Sequence, residues 1–378
     1  MTTIPAVLTP GHLGVLVDLL RGRGWTVIAP TVRDGAVVLA EVASAAELPR
    51  GAGAEQGPGR YRLQDRADGA WFAHAATANS LKAFLHPATA VEMTVRRSER
   101  AGVAVAAEDE WASPAPRQAF LGVRGCDLAA IAVQDRVLRD GAVADPAYAA
   151  RRDATLIVAV SCGEPSAVCF CDSMDTGPRP RGGYDLLLTE LDAGGERHRF
   201  LAEAGTERGA DLLDALGAAA ADATDVSAAD AVVAGAVSRM GRRLDPVQAR
   251  EVLPHSREHP QWADVASRCL ACGNCTMACP TCFCTDVVDG DDASGAVARR
   301  ERQWASCFAL DFSYIHGGSV RTSVESRYRQ WLTHKLSSWW DQFGTAGCVG
   351  CGRCIAWCPA GIDLTAEVAA IAGQEAET

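Results

Sequence analysis

The sequence predicts an α/β N-terminal domain followed by a mostly α-helical, cysteine-rich C-terminal domain. Three observations predict it. Short runs bearing valine and isoleucine alternate with helical patterns in the first half. Apolar residues recur at helical spacing in the last third. Fifteen cysteines fall into three groups, with a cysteine-free stretch from 172 to 268 separating the first group from the other two. At 378 residues the chain is also too long for one ordinary core.

Residues 12–20 carry apolar side chains at helical spacing. Residues 26–28 and 36–39 are short apolar runs expected as strands. Residues 119–123 are expected as a strand that passes through Arg124 and Gly125 into a helix over 126–138. That helix presents Leu128, Ile131, Val133 and Leu138. The run at 155–160, Thr-Leu-Ile-Val-Ala-Val, reads as a fully buried strand, and 184–188 as another. Strands alternating with helices place an α/β domain over residues 1–205. The glycines at 51, 53 and 57 have a spacing one residue too long for a dinucleotide loop, and they join no clear strand to a helix. They are expected in a surface loop. No Walker loop is present, so the chain shows no nucleotide site.

Residues 206–255 are rich in alanine and expected as a helical connector, with a flexible linker as the alternative. Residues 256–378 are expected to be almost wholly helical. Within them, 324–343 carries Tyr328, Trp331, Leu332, Leu336, Trp339 and Trp340, spaced as the stripe of one long helix. That stripe is expected to pack around whatever the cysteines hold.

Charge narrows the function. The net charge is −11 and the arginine pairs are scattered, so no nucleic-acid surface is expected. The longest stretches without Asp, Glu, Lys or Arg are 1–17 and 269–285. The first is broken by Pro5, Pro10 and Gly11, and the second holds six cysteines, so no membrane span is expected. No basic flank and cleavage site mark an export signal, so the expectation is a cytoplasmic protein. Cysteines there are more readily metal ligands than disulfides.

Cys269, Cys272, Cys275 and Cys279 with Pro280 spell C-x2-C-x2-C-x3-C-P. Cys348, Cys351, Cys354 and Cys358 with Pro359 spell it again. This run binds [4Fe–4S] clusters in bacterial ferredoxins, where the fourth cysteine serves the other cluster. Thiolate is a soft anionic ligand suited to iron–sulfur clusters. Three closely spaced cysteines wrap three corners of a cubane, and Gly273 and Gly352 let the backbone turn around them. A ferredoxin-like domain carrying two [4Fe–4S] clusters follows. Crossing over assigns Cys269, Cys272, Cys275 and Cys358 to one cluster, and Cys348, Cys351, Cys354 and Cys279 to the other. Zinc is the alternative, but zinc ribbons pair two-cysteine units at much shorter separation.

Seven cysteines remain. Cys126, Cys162, Cys169 and Cys171 sit at strand ends or in a short loop of the α/β domain, and are candidates for a third [4Fe–4S] cluster. The alternative is a set of small buried hydrophobes. Cys282, Cys284 and Cys307 either line the clusters or replace a ligand in the crossover scheme.

These motifs carry a resemblance. The stretch from Phe120 through Arg124 to Cys126 and Asp127 contributes to it, as do Cys169-Phe170-Cys171-Asp172-Ser173-Met174 and Thr176-Gly177-Pro178. So do Cys279-Pro280-Thr281-Cys282-Phe283-Cys284, Trp304-Ala305-Ser306-Cys307, Arg327-Tyr328-Arg329 and the last cysteine motif. From about residue 60 onward the chain resembles the β subunit of NAD(P)-linked [NiFe] hydrogenases of the sulfhydrogenase type. It is similar also to the A subunit of anaerobic sulfite reductase. Such families usually have a proline before the first of these cysteines; here Gly125 stands there, which loosens the backbone but removes no ligand.

The resemblance implies an electron-transfer subunit with no substrate-converting site of its own. Its partners would be a flavin subunit that binds NAD(P) and the small and large hydrogenase subunits. The alternatives are the electron-input subunit of anaerobic sulfite reductase, a stand-alone ferredoxin-like oxidoreductase and a zinc-bound scaffold.

Overall fold

The computed structural model describes residues 4–98, 102–106 and 114–373. The outermost residues of the expected terminal domains, 1–3 and 374–378, lie outside them, as do 99–101 and 107–113 of the first.

The N-terminal half is built on a mixed eight-stranded sheet. Its middle is parallel: Leu186–Leu191, Thr155–Val160, Gln118–Val123 and Thr26–Arg33 lie side by side in that order. Ala36–Glu41 adds one antiparallel edge. Arg199–Ala204, Ala6–Leu8 and Ala219–Ala220 extend the other edge, also antiparallel. Thr155–Val160 is buried at every position, as a central parallel strand must be.

Alternate residues feed two cores. Leu156, Val158 and Val160 pack with Leu13, Leu16, Val17 and Leu20 of the helix Pro10–Gly22. Ile157 and Ala159 face Leu128 and Ile131 of the helix Gly125–Leu138 and Tyr148 beyond it. The helix Pro10–Gly22 starts on a capping box between Thr9 and His12, with proline in its first turn.

Residues 206–255 hold the helices Glu207–Leu216, Ala223–Ser238 and Pro246–His255. The first two lie against the strands Leu186–Leu191 and Arg199–Ala204 of the large sheet. The third packs with the C-terminal helices, placing Ala249 and Leu253 in their core.

That second core surrounds Trp262, Phe308, Tyr328, Trp331, Leu332, Leu336, Ile355 and Leu364. The stripe at 324–343 does form one helical rod, with a difference at its centre. Val324–Thr333 and Trp339–Phe343 are α-helical, and the turn His334–Ser338 between them is a wide π turn.

Two expectations are corrected. The glycine stretch near 51–57 is not a surface loop. Ala52–Gly57 pairs with Arg60–Asp65 in a hairpin, with Ala52, Gly53 and Gln56 buried. At its turn, Gly59 has φ 66°, and a Cβ there would meet the Cys358 carbonyl at 2.8 Å. Close packing against the second cysteine motif is what needs glycine at position 59.

The last part is also not wholly helical. Thr285–Asp291 and Val297–Trp304 form a hairpin that joins Thr89–Ser98 and Gly102–Ala106 in a four-stranded sheet. The first of those strands is mostly exposed and the second is only partly covered, so neither shows the alternation that signals a strand.

Candidate iron–sulfur centres

Both cysteine motifs fold as the same small device. Cys269 closes the helix Gln261–Arg268, and Gly273 caps the short helix Asn274–Met277. In the second motif Gly352 caps Arg353–Ala356 in the same way. Residues 271 and 273, and 350 and 352, all take left-handed backbone, with φ between 50° and 74°. Alternate left-handed residues curl the chain, so that amides turn toward sulfur. Ala271 N donates to Cys269 Sγ at 3.4 Å, and Gly350 N donates to Cys348 Sγ at 3.5 Å. Ile362 N donates to Cys358 Sγ at 3.4 Å. The two short helices pack on each other, and Asn274 Nδ2 donates to the Trp357 carbonyl across them.

This packing groups the thiols across the motifs. Cys269, Cys272 and Cys275 line one apolar cavity with Cys354 and Cys358, walled by Phe308, Tyr328 and Trp331. Cys358 lies within electrostatic reach of Cys269 and Cys275. Cys279 lies instead within reach of Cys348, Cys351 and Cys354. Among these thiols Cys272 is exposed, while Cys279, Cys348 and Cys351 are buried.

Electrostatics fits a group that brings its own positive charge. Burial raises the Cys348 thiol to about 12, and lifts Cys275 and Cys354 well above the ordinary value. Such thiols ionise only when a cation takes the proton's place. Cys279 is the exception. A hydrogen bond with the Cys282 thiol, helped by the charge of Lys335, holds it well below the usual value despite its burial.

Among the described residues no three Cys, His, Asp or Glu converge closely enough for a single metal ion. A cubane spreads its ligands over four separate corners and asks for wider spacing. The donors, the N–H···S bonds and the apolar cavity fit an iron–sulfur cluster.

The N-terminal cysteines lie against the second motif. Cys126 opens the helix Gly125–Leu138 directly after a sheet strand. Cys169 and Cys171 belong to a loop whose Phe170 N donates to the Gly350 carbonyl at 2.8 Å. Any Cβ on Gly350 would meet that loop's backbone at 2.5 Å, so the two loops touch main chain to main chain. Cys126, Cys171 and Cys351 share one buried cluster. Cys162 lies within electrostatic reach of Cys169 and Cys171. Burial raises Cys169 to about 11.

Cys282 stands beside Cys279, with Lys335 Nζ 3.6 Å from its sulfur. Ala305 N donates to the Cys284 carbonyl at 2.9 Å at the base of the hairpin, and Cys307 lies within reach of both Cys284 and Cys275.

Sequence reasoning missed two cations. Arg353 sits inside the second motif and is 2% exposed. Its guanidinium grips Asp127 at 2.8 and 3.2 Å and donates to the Thr77 carbonyl at 2.7 Å. Lys335, also buried, rises from the π turn and donates to Cys279 Sγ at 3.2 Å, Thr281 Oγ1 at 3.2 Å and the Gly347 carbonyl at 3.0 Å. A signal existed for Lys335: it lies one turn from Trp331, beside Leu336, on an otherwise apolar stripe.

Comparison with known proteins agrees with the chemistry of the thiols. Residues 268–362 match the family model described as a 4Fe-4S dicluster domain. Sulfhydrogenase 2 subunit beta of Pyrococcus furiosus is 31% identical over 252 residues, covering 65% of this chain and 71% of that protein. No solved structure matches. Identity at that level over most of a relative, together with a dicluster motif set on the second core, means that the chain belongs to the sulfhydrogenase beta-subunit family.

Proposed function

We propose that this chain is the iron–sulfur electron-transfer subunit of a multi-subunit NAD(P)-linked [NiFe] hydrogenase, relaying electrons between a flavin subunit and the hydrogenase module. The observation that carries the proposal is the exchange of thiols between the motifs. Cys358 lies with Cys269, Cys272 and Cys275 in a cavity that Cys354 also lines, while Cys279 lies within electrostatic reach of Cys348, Cys351 and Cys354. We assign one [4Fe–4S] cluster to each set, in a mostly helical ferredoxin-like domain. When bound, such clusters take up and pass on single electrons.

The chain's own residues do the rest. The thiolates hold, and the amides of Ala271, Gly350 and Ile362 aim at sulfur. Phe308, Tyr328 and Trp331 give the first site an apolar wall. Cys126, Cys162, Cys169 and Cys171 hold a third cluster beside the second, close to Cys351. A row of sites reaching from the buried edge of the α/β domain to the exposed Cys272 suits a relay between partners. Among the described residues no helix is long and apolar enough to cross a membrane.

The test is anaerobic purification of the complex with its metals counted. About twelve irons on this chain, nickel in a co-purifying subunit and hydrogen-dependent dye reduction support the reading. Co-purifying sirohaem without nickel would transfer the chain to a sulfite-reducing complex, and zinc without iron would end the redox reading.

A further inference from the structure

Lys335 is a buried ammonium whose partners are sulfur, a hydroxyl and a carbonyl. Its Nζ lies 3.2 Å from Cys279 Sγ and 3.6 Å from Cys282 Sγ, with Thr281 Oγ1 at 3.2 Å and the Gly347 carbonyl at 3.0 Å. Among the described residues none of these partners is a carboxylate. The other buried cation near this motif is different: Arg353 is held by both oxygens of Asp127, which neutralises it. Lys82, buried as well, lies within electrostatic reach of Cys279 and Cys282, against the Trp304 ring at 3.8 Å.

The π turn His334–Ser338 carries Lys335, and it interrupts a helix that is α-helical before and after. Single π turns inside α-helices recur at functional sites. Here it coincides with the one lysine on an apolar stripe.

Resting on the reading that Cys279 ligates the cluster of Cys348, Cys351 and Cys354, we propose that Lys335 is a positioning residue that raises this cluster's reduction potential. Reduction adds one negative charge to a cluster. A fixed cation that also donates to a ligand sulfur stabilises that charge more than the oxidised state, and burial strengthens the effect. The cluster is thereby easier to reduce than the same thiols would make it without the lysine.

EPR-monitored redox titration of the purified complex tests this, in Lys335→Met, Lys335→Gln and Lys335→Arg. Lys335→Met should lower the reduced-to-oxidised ratio of this cluster at fixed potential at least tenfold, which is 59 mV for one electron. Lys335→Gln, which keeps a donor without the charge, should fall between, and Lys335→Arg should stay within twofold of the native protein. The cluster of Cys269, Cys272 and Cys275 should move less than the other. An iron-replete Lys335→Met with an unchanged ratio overturns the proposal. If Lys335→Met loses iron, Lys335→Gln decides it by the same criterion. Loss of iron in all three variants would make Lys335 a folding residue and also overturn it. Failure of the underlying assignment is separate: it shows as this cluster's signal persisting in Cys279→Ala, or as too few irons in the unsubstituted protein.

Discussion

Arg353 and Asp127, 226 residues apart in sequence, form a buried two-pronged ion pair that locks the second cysteine motif onto the start of the helix Gly125–Leu138. Cys126 is the neighbour of one partner, and Cys354 of the other. The pair sets how the loop bearing Cys351 sits against the N-terminal thiols.

Breaking this pair from one side should be costly. Arg353→Met or Asp127→Leu alone leaves a buried charge without its counter-charge, worth about 3–5 kcal/mol. The double variant should lose clearly less than the sum of the two. Urea unfolding followed by tryptophan fluorescence measures both, and strictly additive losses would show that the pair is not the connection.

Cys279→Ala should damage the cluster of the distant motif, because its thiol stands with Cys348, Cys351 and Cys354. The region from Trp262 to Ile371 should become sensitive to limited proteolysis, since ligation supplies much of such a domain's folding free energy. The sheet before residue 205 should resist, having its own cores. EPR of the reduced variant reports the outcome. Loss confined to the signal of the Cys269 motif would rule out the exchange of ligands.

Cys169→Ser should lower the iron content by about four and leave the signals of the two C-terminal clusters in place. Unchanged iron would return Cys169 to the role of a small buried side chain.

Two histidines should make the fold acid-sensitive. Burial, with the charge of Arg124, lowers His74 to about 3, and burial, with Arg302, lowers His86 to about 4. Both are neutral in the folded chain at pH 7, whereas the unfolded chain takes up protons near 6.5. The stability they permit is therefore intact above about pH 6.5 and falls as pH drops toward about 4 and then 3. Each can add a slope of up to about 1.4 kcal/mol per pH unit. His74→Gln with His86→Gln should flatten the loss of the urea midpoint between pH 6.5 and 4.5. A parallel loss in both proteins would place the acid sensitivity elsewhere.

Local pattern revealed the parts whose causes are local. The strand Thr155–Val160, the strand-to-helix passage at Arg124 and the rod at 324–343 all carry their periodicity in a few consecutive residues. The cysteine motifs are legible for the same reason, because three corners of a cubane are wrapped by one short loop. The hairpin from Thr285 to Trp304 was not legible, since its pairing partner Thr89–Ser98 lies about 200 residues away and its own residues are largely uncovered.

By itself, then, the sequence determined the chemistry: soft thiolate donors in two repeated runs, beside a sheet with apolar runs of its own. The repeated run also implied the exchange of the fourth thiols, and only the tertiary structure decided which charges face them. Packing the helices Asn274–Met277 and Arg353–Ala356 together puts Cys358 in the first site and Cys279 beside the second. Lys335 reaches Cys279 from a π turn, and Arg353 reaches Asp127 on the helix Gly125–Leu138. Those encounters depend on long-range burial, where an unpaired charge is too costly to leave alone, and that cost is invisible in any short stretch of chain.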